Sequence, residues 1–200
     1  METLRLKITE LLGTLFIAIL IYLDDILDTI VTVITTAVVC LIVTHFIFMP
    51  VRVKGTSMYP TLYDQSIGFS NIIGRKLGGL KRFDIVIIHI DEKDENLVKR
   101  VIGLPNETIS YTEGVLYIDG RAVEEEFLDQ DYVKQQLEFS YHDYFTDDFT
   151  YTLSDDEYFC MGDNRLVSSD SRFYGPFSSD KIISKGIFII YPFSKFGSAQ

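Results

Sequence analysis

The chain is poor in the residues that build metal sites and disulfide frameworks. Its 200 residues include two cysteines, Cys40 and Cys160, and three histidines, His45, His89 and His142. Cys40 lies inside an apolar run and Cys160 far downstream, so they are poor candidates for a bridge, and no metal spacing involves them. His45 lies in the same apolar run, which leaves two histidines for a soluble part. Two histidines without neighbouring ligands do not make a zinc site. Neither His89 nor His142 is flanked by anything motif-like, so a Ser-His-Asp triad has no obvious base. Both read as solvent-facing or structurally satisfied histidines. Cations are also scarce. There are 18 Lys and Arg against 29 Asp and Glu, a net charge of −11. Nucleic-acid binding needs clustered cations to displace counterions from phosphates, and this composition argues against it. Repeats, Pro-rich linkers and low-complexity tracts are all missing.

Two long apolar stretches open the chain. "LLGTLFIAILIYL" covers 11–23 and "IVTVITTAVVCLIVTHFIFM" covers 30–49, the second with no formal charge. At about 1.5 Å per residue the second reaches about 30 Å, enough to cross a bilayer core. Neither has the short apolar region and A-x-A cleavage site of a removable signal peptide, so both are expected to be retained. Residues 1–50 therefore read as a membrane anchor, with "DDILDT" (24–29) as a cytoplasmic loop between two spans and the N-terminus outside. That topology puts Arg5 and Lys7 outside and conflicts with the positive-inside rule.

Beyond Pro50 the pattern turns to strands. The 150 residues 51–200 hold 16 of the Lys and Arg and 24 of the Asp and Glu, a net charge of −8. This length suffices for one domain with a real core. "VRVKG" and "ENLVKRVIG" alternate, while "SIGFSNII" and "FDIVIIHI" are rich in β-branched and aromatic residues. "TISYTEGVLYIDGRAV" predicts short strands turned at Glu113-Gly114 and Asp119-Gly120. Residues 122–157 are acidic and aromatic and read as a surface excursion that returns through "FTYTL". "YFCMGDNR" begins another strand and loop, and "GIFIIYPF" is a late strand. The fold class is mostly β, one domain on N-terminal membrane helices.

Three stretches could carry chemistry. "GTSMYPTL" (55–62) places Ser57 in a turn seven residues past Pro50. In "ENLVKRVIGLP", Leu97, Lys99 and Val101 point one way along a strand, and Val98, Arg100 and Ile102 the other. If one side is the core, one cation is forced toward it. Burial can leave a lysine neutral near physiological pH, whereas arginine stays charged. A neutral amine can take the proton from a serine hydroxyl. On strand pattern alone, Lys99 reads better as a snorkelling or ion-paired surface lysine than as a base. "GDNRLVSSDSRFYGPF" (162–177) is a loop dense in hydrogen-bonding residues, which could orient a lysine amine or simply form a structured turn.

Together, "GTSMYPTL", "KRFDIVIIHI", "VKRVIGLP" and "GDNRLVSSDSR" occur in the order and at the spacing of the signature boxes of bacterial type I signal peptidases, which they resemble. "RFD" and "LVSSDSR" look most like the streptococcal, Gram-positive type. The resemblance runs from the apolar segment through Ser178, with the acidic excursion as a variable part. It implies a membrane-anchored serine protease with a serine–lysine dyad, a β-rich core with an apolar face on the membrane, and no metal or organic cofactor. Ser57 matches the nucleophile and Lys99 the general base. Ser168 matches the hydroxyl that fixes the lysine amine, and Asp170 and Arg172 the pair bracing the active-site loop. Met58 matches a residue of the substrate-binding region. Where some relatives have a serine hydroxyl in the oxyanion hole, this chain has Gly55, which leaves main-chain N–H groups, chiefly that of Ser57. "NET" replaces the usual Gly-Asp after "V-I-G-x-P".

The implied partners are membrane lipid and exported preproteins with small residues before the cleavage site. The short tether would hold Ser57 near the bilayer surface, outside the cytoplasm, at the depth of a signal peptide's cleavage site. Three rival readings share parts of the pattern. One is a signal-peptidase-like, non-catalytic assembly factor or chaperone for surface or pilus subunits. The others are a self-cleaving repressor-type serine–lysine protease and a plain adhesive domain on an anchor. Assembly factors of this kind lose the serine or the lysine, and this chain keeps both.

Overall fold

The computed structural model describes residues 2–199. The first unit is a single α-helix, α1 (Glu2–Phe46). It is the one described helix long and apolar enough to cross a membrane, over Leu11–Thr44. The helix thus runs unbroken through 11–23 and most of 30–49; the expected second segment ends early, and its last residues, Phe48 and Met49, begin a strand. Nothing in "DDILDT" turns the chain: it has no Gly or Pro. Thr29 Oγ1 donates to the Asp25 carbonyl at 2.8 Å, a bond that the helical repeat allows and a loop would not.

The second unit, from Phe46, holds the strands β1 (Phe48–Arg52), β2 (Ile67–Asn71), β3 (Ile85–Ile90), β4 (Glu95–Gly103), β5 (Thr108–Thr112), β6 (Val115–Ile118), β7 (Arg121–Val123), β8 (Phe149–Thr152), β9 (Glu157–Met161), β10 (Phe177–Ser178), β11 (Ile182–Tyr191) and β12 (Gly197–Ser198). Short helices α2 (Ile72–Gly78), α3 (Gln130–Glu138) and α4 (Ser171–Tyr174) interrupt them. The large sheet has the order β1-β2-β11-β3-β4-β9-β10, with β12 also on β11; the small sheet has the order β7-β6-β5-β8. All the pairings are antiparallel.

Local chemistry accounts for several boundaries. Glu113-Gly114 and Asp119-Gly120 all have positive φ, as tight hairpin turns between right-twisted strands require. "SIGFSNII" is not all strand. Asn71 ends β2 and caps α2 by accepting the Gly74 N–H at 2.7 Å. The excursion 122–157 contains a helix that the charge pattern hid. Asp129 caps α3 by accepting the Tyr132 N–H at 3.0 Å.

The core explains what the strand pattern left open. β3 is buried along almost its whole length, so both its faces pack. Val86, Ile88 and Ile90 join Val101, Cys160, Phe177 and Ile182 in one cluster. Ile85 joins Val53, Met58, Leu62, Ile187 and Ile189 in another. Ile102, Phe159 and Met161 meet Ile109, Tyr111, Leu116, Ile118 and Leu153 of the small sheet and its flank in a third. β4 therefore has core against both faces at its C-terminal end. The expectation that one of Lys99 and Arg100 turns inward is exceeded: each is only 2% exposed.

Candidate active site

The turn that carries Ser57 is anchored at both ends. Val53 exchanges hydrogen bonds with the 65–66 turn, through Val53 N to Ser66 O (2.8 Å) and Gln65 N to Val53 O (2.9 Å). Gly55 sits at φ +85°, where a side chain would be strained, and its N–H donates to Asp64 Oδ1 at 2.8 Å. The chain then winds back, with Tyr59 N on Thr56 O (3.1 Å) and Leu62 N on Met58 O (2.9 Å). Met58 and Leu62 drop into the core, and Ser57 stays half-buried beside β4.

Lys99 comes from the middle of β4, opposite Val86 in the register. Its Nζ lies 2.8 Å from Ser57 Oγ, in hydrogen-bond contact. Burial lowers its pKa to about 8; Asp170 and Asp163 pull it back up, and Arg172 pushes it further down. The amine is thus poised between its two protonation states near neutral pH.

The loop that follows β9 supports both groups. Asp170 is fully buried. Burial alone would raise its pKa, but Arg172 and the Gly162 N–H hold the carboxyl below the usual range. Arg172 grips it with two donors, Nε to Oδ1 at 2.9 Å and Nη2 to Oδ2 at 2.8 Å. Gly162 N donates to Asp170 Oδ2 at 3.0 Å. A Cβ on Gly162 would fall within 3.0 Å of both Ser168 Oγ and the Ser57 carbonyl, so only glycine fits there.

The expected site residues converge, with two differences in detail. Ser57 and Lys99 are bonded, and Asp170 and Arg172 are paired. Ser168 does not bond to Lys99: its hydroxyl is buried and makes no hydrogen bond of normal geometry among the described residues, though it lies close enough to the Asp170 carboxylate to help hold that carboxyl below its usual range. Lys99 Nζ already points at Ser57, and the Ser168 hydroxyl packs over the Gly162 α-carbon instead. Gly55 and Met58 were grouped with the oxyanion and substrate region. The Gly55 N–H is taken by Asp64, whereas the Ser57 N–H meets no acceptor among the described residues. Met58 is 1% exposed and belongs to the core, though it reaches the floor of the cleft described below.

Sequence reasoning passed over a second ion pair. Arg100 donates to Asp163 through Nε (2.9 Å) and Nη2 (2.7 Å), with both side chains almost wholly buried. Thr61 Oγ1 donates to the same carboxylate at 2.5 Å. Asn164 N donates to Ser57 O at 3.0 Å, and its Nδ2 to Thr56 O at 3.2 Å. These bonds stitch the serine turn to the loop after β9. Charge between apolar residues on one strand, plus the "GDN" tripeptide, was the available signal.

Beside the dyad lies a cleft of about 410 Å³, with Arg52, Val53 and Lys54 on one wall and 94–99 on the other. β9 pairs with β4 only from Arg100 onward, so the edge of Glu95–Lys99 that faces away from β3 has no strand partner. An extended peptide could add there. His142 lies elsewhere, against Asp147, and His89 backs onto Asn96, a residue of the cleft wall, without itself lining the cleft. Among the described residues no group of three His, Cys, Asp or Glu forms a metal site.

Comparison with known proteins places the chain in a family. The family model described as signal peptidase, peptidase S26, matches residues 26–191. The chain is 35% identical over 183 residues to signal peptidase IB of Staphylococcus aureus (strain COL), covering 86% of this chain and 93% of that one. It is 38% identical over 165 residues to signal peptidase I S of Bacillus subtilis (strain 168), covering 82% and 88%. It is also similar to the crystal structure of a signal peptidase I from Enterococcus faecalis V583, at 31% identity over 53% of this chain and 95% of that one, with a TM-score of 0.47. With a family model that matches most of its length and relatives above 30% identity along nearly all of theirs, the chain belongs to the signal peptidase family, peptidase S26.

Proposed function

We propose that the protein is a type I signal peptidase that cleaves exported preproteins through a Ser57–Lys99 dyad. The observation that carries this reading is the 2.8 Å contact between Ser57 Oγ and a buried lysine whose pKa is lowered to about 8. Neutral Lys99 takes the Ser57 proton as Oγ attacks the scissile carbonyl. The oxyanion develops beside the unengaged Ser57 N–H. The resulting ammonium protonates the leaving amine, the acyl group stays on Oγ, and water activated by the same lysine releases it. The buried Ser168 hydroxyl, beside the Asp170 carboxylate and with lone pairs free to accept, suits a role as acceptor for the ammonium formed on Lys99. Asp170 and Arg172 brace the loop that presents it.

The substrate lies extended against the free edge of Glu95–Lys99, between that edge and residues 52–54, with small side chains beside the dyad. The helix α1 anchors the enzyme, and the domain from Phe46 works outside the cytoplasm. A non-catalytic assembly factor would have no use for a serine in contact with a buried lysine of lowered pKa.

The test is processing of a radiolabelled preprotein by the purified full chain. Ser57→Ala should abolish cleavage and leave the circular dichroism spectrum unchanged. Cleavage by that variant at a tenth of the parent rate would refute the assignment.

A further inference from the structure

The acidic stretch 122–157 touches the support of the dyad at several places: Phe127 packs against the Arg100 guanidinium, 4.0 Å from its ring centroid, and two further contacts reach the serine turn and the loop after β9. From α3, Tyr132 packs edge-on against the ring of Tyr59, with centroids 5.0 Å apart. Tyr59 lies two residues beyond Ser57 and stacks on Tyr63 at 5.3 Å. On its other side Tyr132 meets Phe145 at 6.3 Å, so the ring is wedged between the excursion and the serine turn.

The second contact is to the loop after β9. Arg165 in that loop has a fully buried side chain, ion-paired with Glu125. It also donates to Tyr111 OH at 2.8 Å and Thr146 Oγ1 at 3.1 Å. Glu125 and Thr146 belong to the excursion. Arg165 in turn holds the loop: its Nε donates to Gly162 O at 2.9 Å, and its carbonyl accepts Arg172 Nη2 at 2.8 Å. Gly162 is the residue against which Ser168 Oγ and the Ser57 carbonyl both pack. One segment thus grips the serine turn through an aromatic contact and the supporting loop through a buried ion pair.

We propose that residues 122–157 are a positioning element for the dyad, with Tyr132 and Glu125 as its positioning residues. This rests on the dyad reading above. Proton transfer between Lys99 and Ser57 depends on their separation, and a displacement near 1 Å can cost on the order of a hundredfold in rate. The cleft is lined by 52–54, 57–58 and 94–99, none of them in the excursion. Loss of positioning therefore falls on turnover and leaves substrate binding in place.

The experiment measures kcat and KM on a preprotein-derived peptide, per titrated active site, about 20 °C below the Tm of each variant. Tyr132→Ala and Glu125→Gln should each lower kcat about tenfold, with KM within about twofold of the parent. Tyr132→Phe should keep at least about half of the parent kcat, because the ring contact with Tyr59 needs no hydroxyl. An unchanged kcat with a lowered Tm would reduce the segment to a stabilising role and overturn the proposal. Equal impairment of Tyr132→Phe and Tyr132→Ala would overturn it too. If Glu125→Gln does not fold, the two Tyr132 variants decide. A parent that cleaves nothing overturns the dyad reading and this inference with it. An active parent with unaffected variants overturns this inference alone.

Discussion

Replacing Lys99 by methionine should destroy activity and stabilise the protein at the same time. The pKa of Lys99 falls from 10.5 to about 8, and burial is the main cause. At about 1.36 kcal/mol per unit, that fall corresponds to about 3 kcal/mol of strain on the charged form. Below pH 8 the folded and unfolded chains both carry the proton, and the whole penalty is present. Between pH 8 and 10.5 the unfolded chain binds more protons than the folded one, so stability rises with pH. Above 10.5 both are neutral and the penalty is gone. Methionine is similar in length and carries no charge, but it gives up the bond to Ser57, worth about 1 kcal/mol. The net gain at pH 7 is about 2 kcal/mol, or a Tm rise of about 4–8 °C for a domain of this size. Thermal unfolding of parent and Lys99→Met, followed by circular dichroism from pH 7 to 10.5, should show the two curves converging as pH rises and crossing before 10.5, above which only the lost Ser57 bond still separates them. Curves that run parallel over that window would refute the buried, depressed lysine. Enzyme kinetics offer the matching check. The parent kcat/KM should climb about tenfold per pH unit below 8 and level off above it. Lys99→Arg should be inactive throughout, because arginine keeps its proton.

Three further outcomes follow from the packing and the helix. Gly162→Ala pushes a methyl into Ser168 Oγ and the Ser57 carbonyl, and kcat should fall at least about a hundredfold. An active Gly162→Ala enzyme would mean that the loop yields freely. Arg100→Met leaves the Asp163 carboxylate buried without its cation and should cost about 3–5 kcal/mol, read as a drop in the urea midpoint; a change under 1 kcal/mol would show that the pair is dispensable. With the domain from Phe46 outside, as proposed, an α1 that crosses once would put Arg5 and Lys7 inside, in keeping with the positive-inside rule. In intact Cys40→Ser cells an impermeant thiol reagent should label a cysteine placed at Asp147 and spare those placed at Thr3 and Asp25; Cys160 is buried and should stay silent. A labelled Thr3 site would restore the two-span topology.

Features set by neighbours along the chain were legible in the sequence. The hairpins at Glu113-Gly114 and Asp119-Gly120 need only residues that tolerate positive φ. The alternating runs need only period-two burial, the β-branched run of β3 only a core on both faces, and the apolar run up to Phe46 only length and lack of charge. Ser57, Lys99, Asp170 and Arg172 were legible because four boxes held their order and spacing. What crosses between segments was not. A period of two assigns Lys99 and Arg100 to opposite faces of β4, but it cannot say that both faces are covered. That depends on three core clusters drawn from strands far apart in sequence. The partner that lets Arg100 be buried, Asp163, lies 63 residues away. Charge disguised α3 inside the acidic stretch, although Asp129 was there to cap it. The same stretch looked like solvated surface because nothing local tells that Glu125 will meet a buried arginine. That Ser168 turns toward Asp170 and Gly162 rather than Lys99 is likewise a property of the fold. Sequence names a donor and an acceptor, but only packing decides whether they come within 3 Å of each other.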